Sequence, residues 1–95
     1  MKISVVIPAF NEERAIGKCI EAVKNQTLPK KQYEIIVVDN NSKDKTAEIA
    51  KKLGAKVISY TKKQGFSAAK QFGTKKAKGE IIAYTDADSI PDKNW

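Results

Sequence analysis

Cysteine is almost absent from this 95-residue chain, and the single Cys19 excludes an internal disulfide framework. It falls on the apolar stripe of an expected helix and reads as a small core residue rather than a reactive thiol. No apolar run is long enough to cross a bilayer, and Lys2 is followed by only a short apolar stretch, which does not make a signal peptide. Cytoplasmic residence is the expectation, with membrane association left to a longer product. Low-complexity tracts and internal repeats are missing, which argues against disorder and against a solenoid. Arginine is reduced to Arg14, so all but one of the 18 basic residues are lysine, and the net charge is +7. That charge favours anionic partners, but the lysines spread over every expected helix and loop and are not interleaved with aromatics. With no basic helix-turn-helix, no zinc-ligand spacing and no RNP-like aromatic strand, nucleic acid is not the expected partner. No G-x-G-x-x-G follows the first strand, which disfavours a dinucleotide-binding dehydrogenase.

What is present is an alternation of apolar strands and amphipathic helices. Ile3 to Ile7 is a β-branched run that Pro8 is expected to end. Asn11 then suits a helix N-cap, with Glu12 and Glu13 in the first turn and Ala15, Ile16, Cys19, Ile20 and Val23 at helical spacing. Ile35-Ile36-Val37-Val38 is a second strand ending at Asp39. Ser42 suits the cap of a second helix whose apolar face is Ala47, Ile49, Ala50 and Leu53, stopped by Gly54. Lys56 to Tyr60 reads as a third, shorter strand, and a helix from about Phe66 to Lys78 precedes Gly79. The run Glu80 to Thr85 reads as a fourth, buried strand. Continuous apolar strands alternating with helices imply βαβ units, a parallel sheet and an α/β fold in one domain. The fourth strand has no later strand to pair with, so an exposed edge through which copies could self-associate is expected.

At the exit of that fourth strand stands Asp86-Ala87-Asp88. Two carboxylates outside the carboxyl end of a parallel strand can hold a divalent cation, since one or two carboxylates plus phosphates is how Mg2+ is usually bound. Alone the triplet is weak, because a D-x-D arises by chance in roughly one chain in three of this length. Its weight comes from its neighbours.

Four landmarks in order give the chain a resemblance to the family 2 glycosyltransferases. Val5-Val6-Ile7-Pro8-Ala9-Phe10-Asn11-Glu12-Glu13 resembles the family's opening strand and loop, and Ile36-Val37-Val38-Asp39 with the turn through Thr46 resembles its second strand and acidic turn. Gly65 to Gly73 is similar to its Gly-x-x-x-Ala-Arg-Asn-x-Gly segment, and Gly79-Glu80, the strand and Asp86-Ala87-Asp88 complete the set. The resemblance implies the N-terminal, nucleotide-sugar-binding half of a GT-A domain. That half is a three-layer α/β/α Rossmann-like arrangement, a parallel sheet of about four strands with helices on both faces. The function it implies is transfer of a sugar from a nucleotide-diphosphate sugar, with a UDP-sugar as the default donor, to an acceptor hydroxyl on an unspecified glycan or lipid-linked acceptor.

Site roles follow residue by residue from the same resemblance. Asp39 would accept a hydrogen bond from a base ring N–H, as an acceptor-only carboxylate can; a turn-forming Asp is the alternative. Pro8, Ala9 and Asn11 would wall the base and ribose, with Glu12 accepting from sugar hydroxyls. Lys70 would attract the pyrophosphate, or else is an exposed helix lysine. Asp88 would bind Mn2+ or Mg2+, and Asp86 would bind the metal or the ribose. Two positions depart from the pattern: Asn40 replaces an acid, and Lys70-Gln71 replaces Arg-Asn, giving a point charge in place of a two-pronged guanidinium. The family draws its acceptor-activating base from sequence beyond the D-x-D, so no catalytic base is assigned here and the chain is expected to be inactive as a donor-binding part alone, truncated after that motif. A haloacid-dehalogenase-like phosphatase also carries a D-x-D after a strand, but on its first strand. A non-catalytic nucleotide-binding module is the other alternative.

Overall fold

The computed structural model describes residues 2–26, 29–61 and 66–87, which alternate strand and helix as the sequence implies. In chain order they are β1 (Ile3–Ala9), α1 (Ile16–Lys24), a single 3-10 turn (Lys30–Gln32), β2 (Tyr33–Asp39), α2 (Thr46–Lys52), β3 (Lys56–Ser59), α3 (Phe66–Lys76) and β4 (Ile81–Tyr84). All neighbouring strands are parallel, in the order β3-β2-β1-β4.

This order dictates where the helices lie. The chain steps from β1 to β2 to β3 in one direction and then returns past both to the far side of β1. Right-handed crossovers therefore place α1 and α2 on one face and α3 on the other. The side-chain alternation of the strands serves both layers. Val5, Ile7, Ile35 and Val37 pack with Ile16, Cys19, Ile20, Val23 and Ala50, whereas Val6, Ile36 and Val38 pack with Ala69 and Phe72 on the opposite face. Both faces of β1 and β2 are thus covered, which explains their unbroken apolar runs.

Three local expectations are corrected by this arrangement. Pro8 does not end β1; it is buried within the strand and pairs in register with Val38. Val6 directs its carbonyl to Thr85 on the β4 side, and Ala9 directs its carbonyl to Asn40 on the β2 side. Pro8 therefore faces the β4 side, where pairing has already stopped at Val6–Tyr84, and its missing N–H forfeits no ladder bond. Asn11 is not a helix cap: α1 starts at Ile16 with Ala15 as its cap residue, no acid lies in its first turn, and Asn11 sits in the left-handed region at φ 52°. Ser42 is likewise not the cap of α2, which begins after Lys45. The fourth strand is also less buried than its sequence suggests. As the sheet edge it leaves Ile81 and Tyr84 51% and 42% exposed. The stop at Gly54 is as expected, with φ +90°.

Two glycines let the layers close. A Cβ on Gly73 would lie 2.6 Å from Val6 Cγ1 and 2.8 Å from Val38 Cγ2, so α3 rests directly on the sheet there. A Cβ on Gly79 would lie 2.6 Å from the backbone nitrogen of Ser4, so the chain entering β4 passes against the backbone of β1. At this point the Gly79 N–H donates to Ser4 Oγ at 2.8 Å, Ser4 Oγ donates to Glu34 Oε2 at 2.5 Å, and the Lys78 N–H donates to the same oxygen at 2.7 Å. This clasp fixes the amino-terminal edge of the sheet and the start of β4. Burial pushes the Glu34 carboxyl up, but the Ser4 hydroxyl, the Lys78 N–H and the charges of Lys56 and Lys78 outweigh it, and the pKa is held below the usual carboxylate value.

Candidate functional site

Reversal of strand order creates a topological switch point between β1 and β4 at the carboxyl edge of the sheet, where open α/β sheets bind ligands. The loop after β1 and the Asp86 turn after β4 flank it directly, and Asp39 ends β2 on the other side of β1. Strands two places apart lie roughly 10 Å apart. Asp39 and the exit of β4 therefore stand on either side of the Pro8–Glu12 segment at the carboxyl edge of the sheet.

The loops after β1 and β2 are tied together by their own polar groups. The Asn11 N–H donates to Ser42 Oγ at 2.9 Å, and Asn11 Oδ1 accepts from the Lys43 N–H at 2.7 Å. The Glu12 N–H donates to Thr46 Oγ1 at 2.9 Å, the Glu13 N–H to Asp44 Oδ2 at 3.1 Å, and the Lys45 N–H to Glu13 Oε1 at 3.0 Å. The Thr46 N–H and hydroxyl both donate to Asp44 Oδ1. These donors, with the N–H groups of Glu13 and of Asp44 itself, outweigh burial and hold the Asp44 carboxyl below its usual range. Sequence reading missed the stitching because each partner lies about 30 residues from the other. The only signal was the density of short polar side chains in Asn40-Asn41-Ser42-Lys43-Asp44.

Asp39 is 8% exposed, and its Oδ1 accepts from the Ser42 N–H at 3.2 Å. The turn this makes, with Asn41 at φ 62°, leads the chain into α2. The turn reading of Asp39 is seen directly in this bond, which uses one of the two carboxylate oxygens. Pro8 and Ala9 are buried, and the Ala9 carbonyl is taken by the Asn40 N–H at 2.8 Å. The Asn11 side chain is occupied by the neighbouring loop, and the Glu12 side chain is half-buried.

On the other side of the switch point, the turn after β4 is pinned from below. The Cys19 thiol donates to the Asp86 carbonyl at 3.4 Å, and Ala87 is packed in the α1-side core at 3% exposure. Burying the middle residue of Asp-Ala-Asp leaves the Asp86 side chain outside, exposed at the sheet's carboxyl edge. Asp88, the expected metal ligand, lies outside the described residues. Lys70, in the second turn of α3, holds its Nζ 5.6 Å from the centroid of the Tyr84 ring. Asp39, Pro8, Ala9, Asn11, Glu12, Lys70 and Asp86 are therefore all carried on elements that meet at one edge. Among the described residues no three His, Cys, Asp or Glu side chains gather as a metal cluster.

A parallel α/β/α sheet with an acidic turn at its switch point is the architecture of GT-A nucleotide-sugar enzymes, and the comparisons place the chain there. The family model for glycosyl transferase family 2 matches residues 4–95, and the chain belongs to that family. It is 40% identical to the glycosyltransferase AglE of Haloferax volcanii, over 98% of this chain and 32% of that protein. The crystal structure of S. aureus TarS 1-349 in complex with UDP superposes with a TM-score of 0.91 at 31% identity, over 99% of this chain and 29% of that one. A mannosyltransferase of Pyrobaculum calidifontis in complex with GDP-Man and Mn2+ superposes with a TM-score of 0.89 at 26% identity, over 97% of this chain and 29% of that one. The chain thus spans about a third of the length of these relatives.

Proposed function

We propose that this chain is the donor-binding part of a glycosyltransferase, which recognises a nucleotide-diphosphate sugar, UDP-linked by preference, for transfer of the sugar to an acceptor hydroxyl. One observation carries the reading: the acidic turns after β2 and β4 lie on either side of the β1 loop at the switch point of the sheet. A nucleoside diphosphate, with a base at one end and phosphates at the other, spans such a separation. The complexes of TarS with UDP and of the Pyrobaculum enzyme with GDP-Man support the ligand class.

Asp39 accepts the ring N–H of the base through the oxygen that does not serve the Ser42 turn. Because that turn is stitched to the β1 loop, the carboxylate is held in place before the ligand arrives, so little ordering remains to oppose binding. The Pro8–Glu12 segment forms the floor and wall beside base and ribose, and Glu12 accepts from sugar hydroxyls. Lys70 draws the diphosphate towards the exit of β4.

The donor set also fits a hard divalent cation. The turn after β4 presents the Asp86 carboxylate at the edge, with its carbonyl accepting from the Cys19 thiol and Ala87 buried beside it, and Asp88 follows two residues later in the sequence. Mn2+ or Mg2+ would be held there by one or two carboxylates together with diphosphate oxygens. When bound, such an ion supplies Lewis-acid stabilisation of charge on the departing nucleoside diphosphate. The acceptor-activating base is assigned to no residue of this chain.

Calorimetric titration of UDP with and without Mn2+, alongside GDP and ATP, tests the reading. Metal-dependent binding selective for one diphosphate is expected. Failure of all three to bind in the presence of Mn2+ would overturn it.

A further inference from the structure

We infer that Tyr84 is a positioning residue for the phosphate end of the site, holding the Lys70 ammonium beside the acidic turn. This rests on the role proposed above for Lys70. A lysine is a flexible point charge, and on its own it would have to be ordered when the diphosphate binds. Here it is already held. Its Nζ lies 5.6 Å from the Tyr84 ring centroid, within the range of a cation–π contact.

The ring is in turn fixed. Tyr84 Oη lies 2.6 Å from Thr74 Oγ1, and Thr74 Oγ1 donates to the Lys70 carbonyl at 2.7 Å. A threonine hydroxyl has one hydrogen, so with that hydrogen spent on the Lys70 carbonyl, Tyr84 is the donor to Thr74. Lys70, Thr74 and Tyr84 therefore form a closed ring of contacts between α3 and the last residue of β4. Tyr84 pairs in register with Val6, two residues before Pro8, and itself stands two residues before Asp86. The contact therefore ties a cation on α3 to the strand that carries the acidic turn. It also explains why a large aromatic remains 42% exposed at an edge strand, since its face is a platform for an ammonium rather than core. Two N–H donors of that ammonium can still address phosphate oxygens while the ring holds it.

The test is a double-mutant cycle read with two ligands, UDP with Mn2+ and uridine, which lacks phosphates. Tyr84→Leu removes the ring and Tyr84→Phe retains it. The expected results are a two- to fivefold loss of UDP affinity in Tyr84→Leu, a change within about twofold in Tyr84→Phe, and unchanged uridine affinity in both. In a Lys70→Ala background, Tyr84→Leu should cost nothing further. Equal losses in the presence and absence of Lys70, or a parallel loss of uridine affinity, would show Tyr84 to be merely structural and overturn the inference. If the unmutated protein binds uridine and UDP equally with Mn2+ present, the phosphate-end role of Lys70 fails and the inference falls with it. If it binds neither, the donor-site reading itself has failed.

Discussion

Gly79→Ala should unfold the amino-terminal clasp and, through it, move the acidic turn at the other end of β4. The added Cβ would lie 2.6 Å from the Ser4 nitrogen, 2.7 Å from the Ile3 carbonyl carbon and 2.7 Å from Ser4 Oγ. Two of these are backbone atoms of the central strand, paired on both sides, and they cannot retreat without opening a ladder. Overpacking of this kind costs about 1–3 kcal/mol. Displacement of the Gly79 N–H from Ser4 Oγ, whose residue is fully buried, adds about 1 kcal/mol. The expected loss is about 2–4 kcal/mol, a large share of the roughly 5–15 kcal/mol that holds a domain together. Urea unfolding followed by circular dichroism should show a midpoint lowered by roughly 1–3 M at unchanged slope. Gly54→Ala is the control, since no atom lies within 4 Å of its added Cβ and only the strain of φ +90° acts, at about 1 kcal/mol. A Gly79→Ala midpoint equal to that of the parent, or a smaller loss than in Gly54→Ala, would refute the argument that backbone proximity fixes the entry to β4.

Asp39→Asn should leave the fold intact, because the amide oxygen can keep the Ser42 N–H bond, while the amide NH2 faces the base donor; UDP affinity is expected to fall about 10- to 100-fold, and an unchanged dissociation constant would remove Asp39 from the site. Asp88→Ala should abolish the Mn2+ dependence of UDP binding without changing thermal stability; equal affinity with and without metal in the parent would sink the metal assignment. The Glu34 pKa is lowered in the folded state, so its contribution to stability is complete above the unfolded value and is lost as pH falls through the folded one. Stability should therefore drop as pH is lowered below about 4.5, and Glu34→Gln should flatten that part of the curve; parallel pH profiles would show that the clasp does not titrate.

Local sequence rules failed where a distant partner intervened. Asn11 followed by two acids has every local mark of a helix cap, yet Ser42 and Lys43 capture its N–H and side chain and turn it left-handed. Pro8 has the local mark of a strand end, yet β1 runs on because the proline nitrogen faces a side where the ladder is already finished. The fourth strand reads as buried from its apolar content, and only the strand order reveals it as an edge. Cys19 was legible as a core residue but not as a partner of the Asp86 carbonyl, and the contact between Thr74 and Tyr84 was not legible, since in each pair the partner lies on another element.

The sequence by itself determined the strand and helix alternation, the parallel sheet, the two-faced burial of β1 and β2 and the acidic residues at strand exits. All of these follow from periodicity and from punctuation by Gly and Pro over short stretches. Only the tertiary structure decided that β4 lies beside β1, so that Asp39 and Asp86 stand at the carboxyl edge on either side of β1. The same is true of the stitching between the first two loops, and of the Lys70 ammonium resting on the Tyr84 ring. Those depend on which strand neighbours which, and on the close approaches that Gly73 and Gly79 permit between layers, and local periodicity does not encode them.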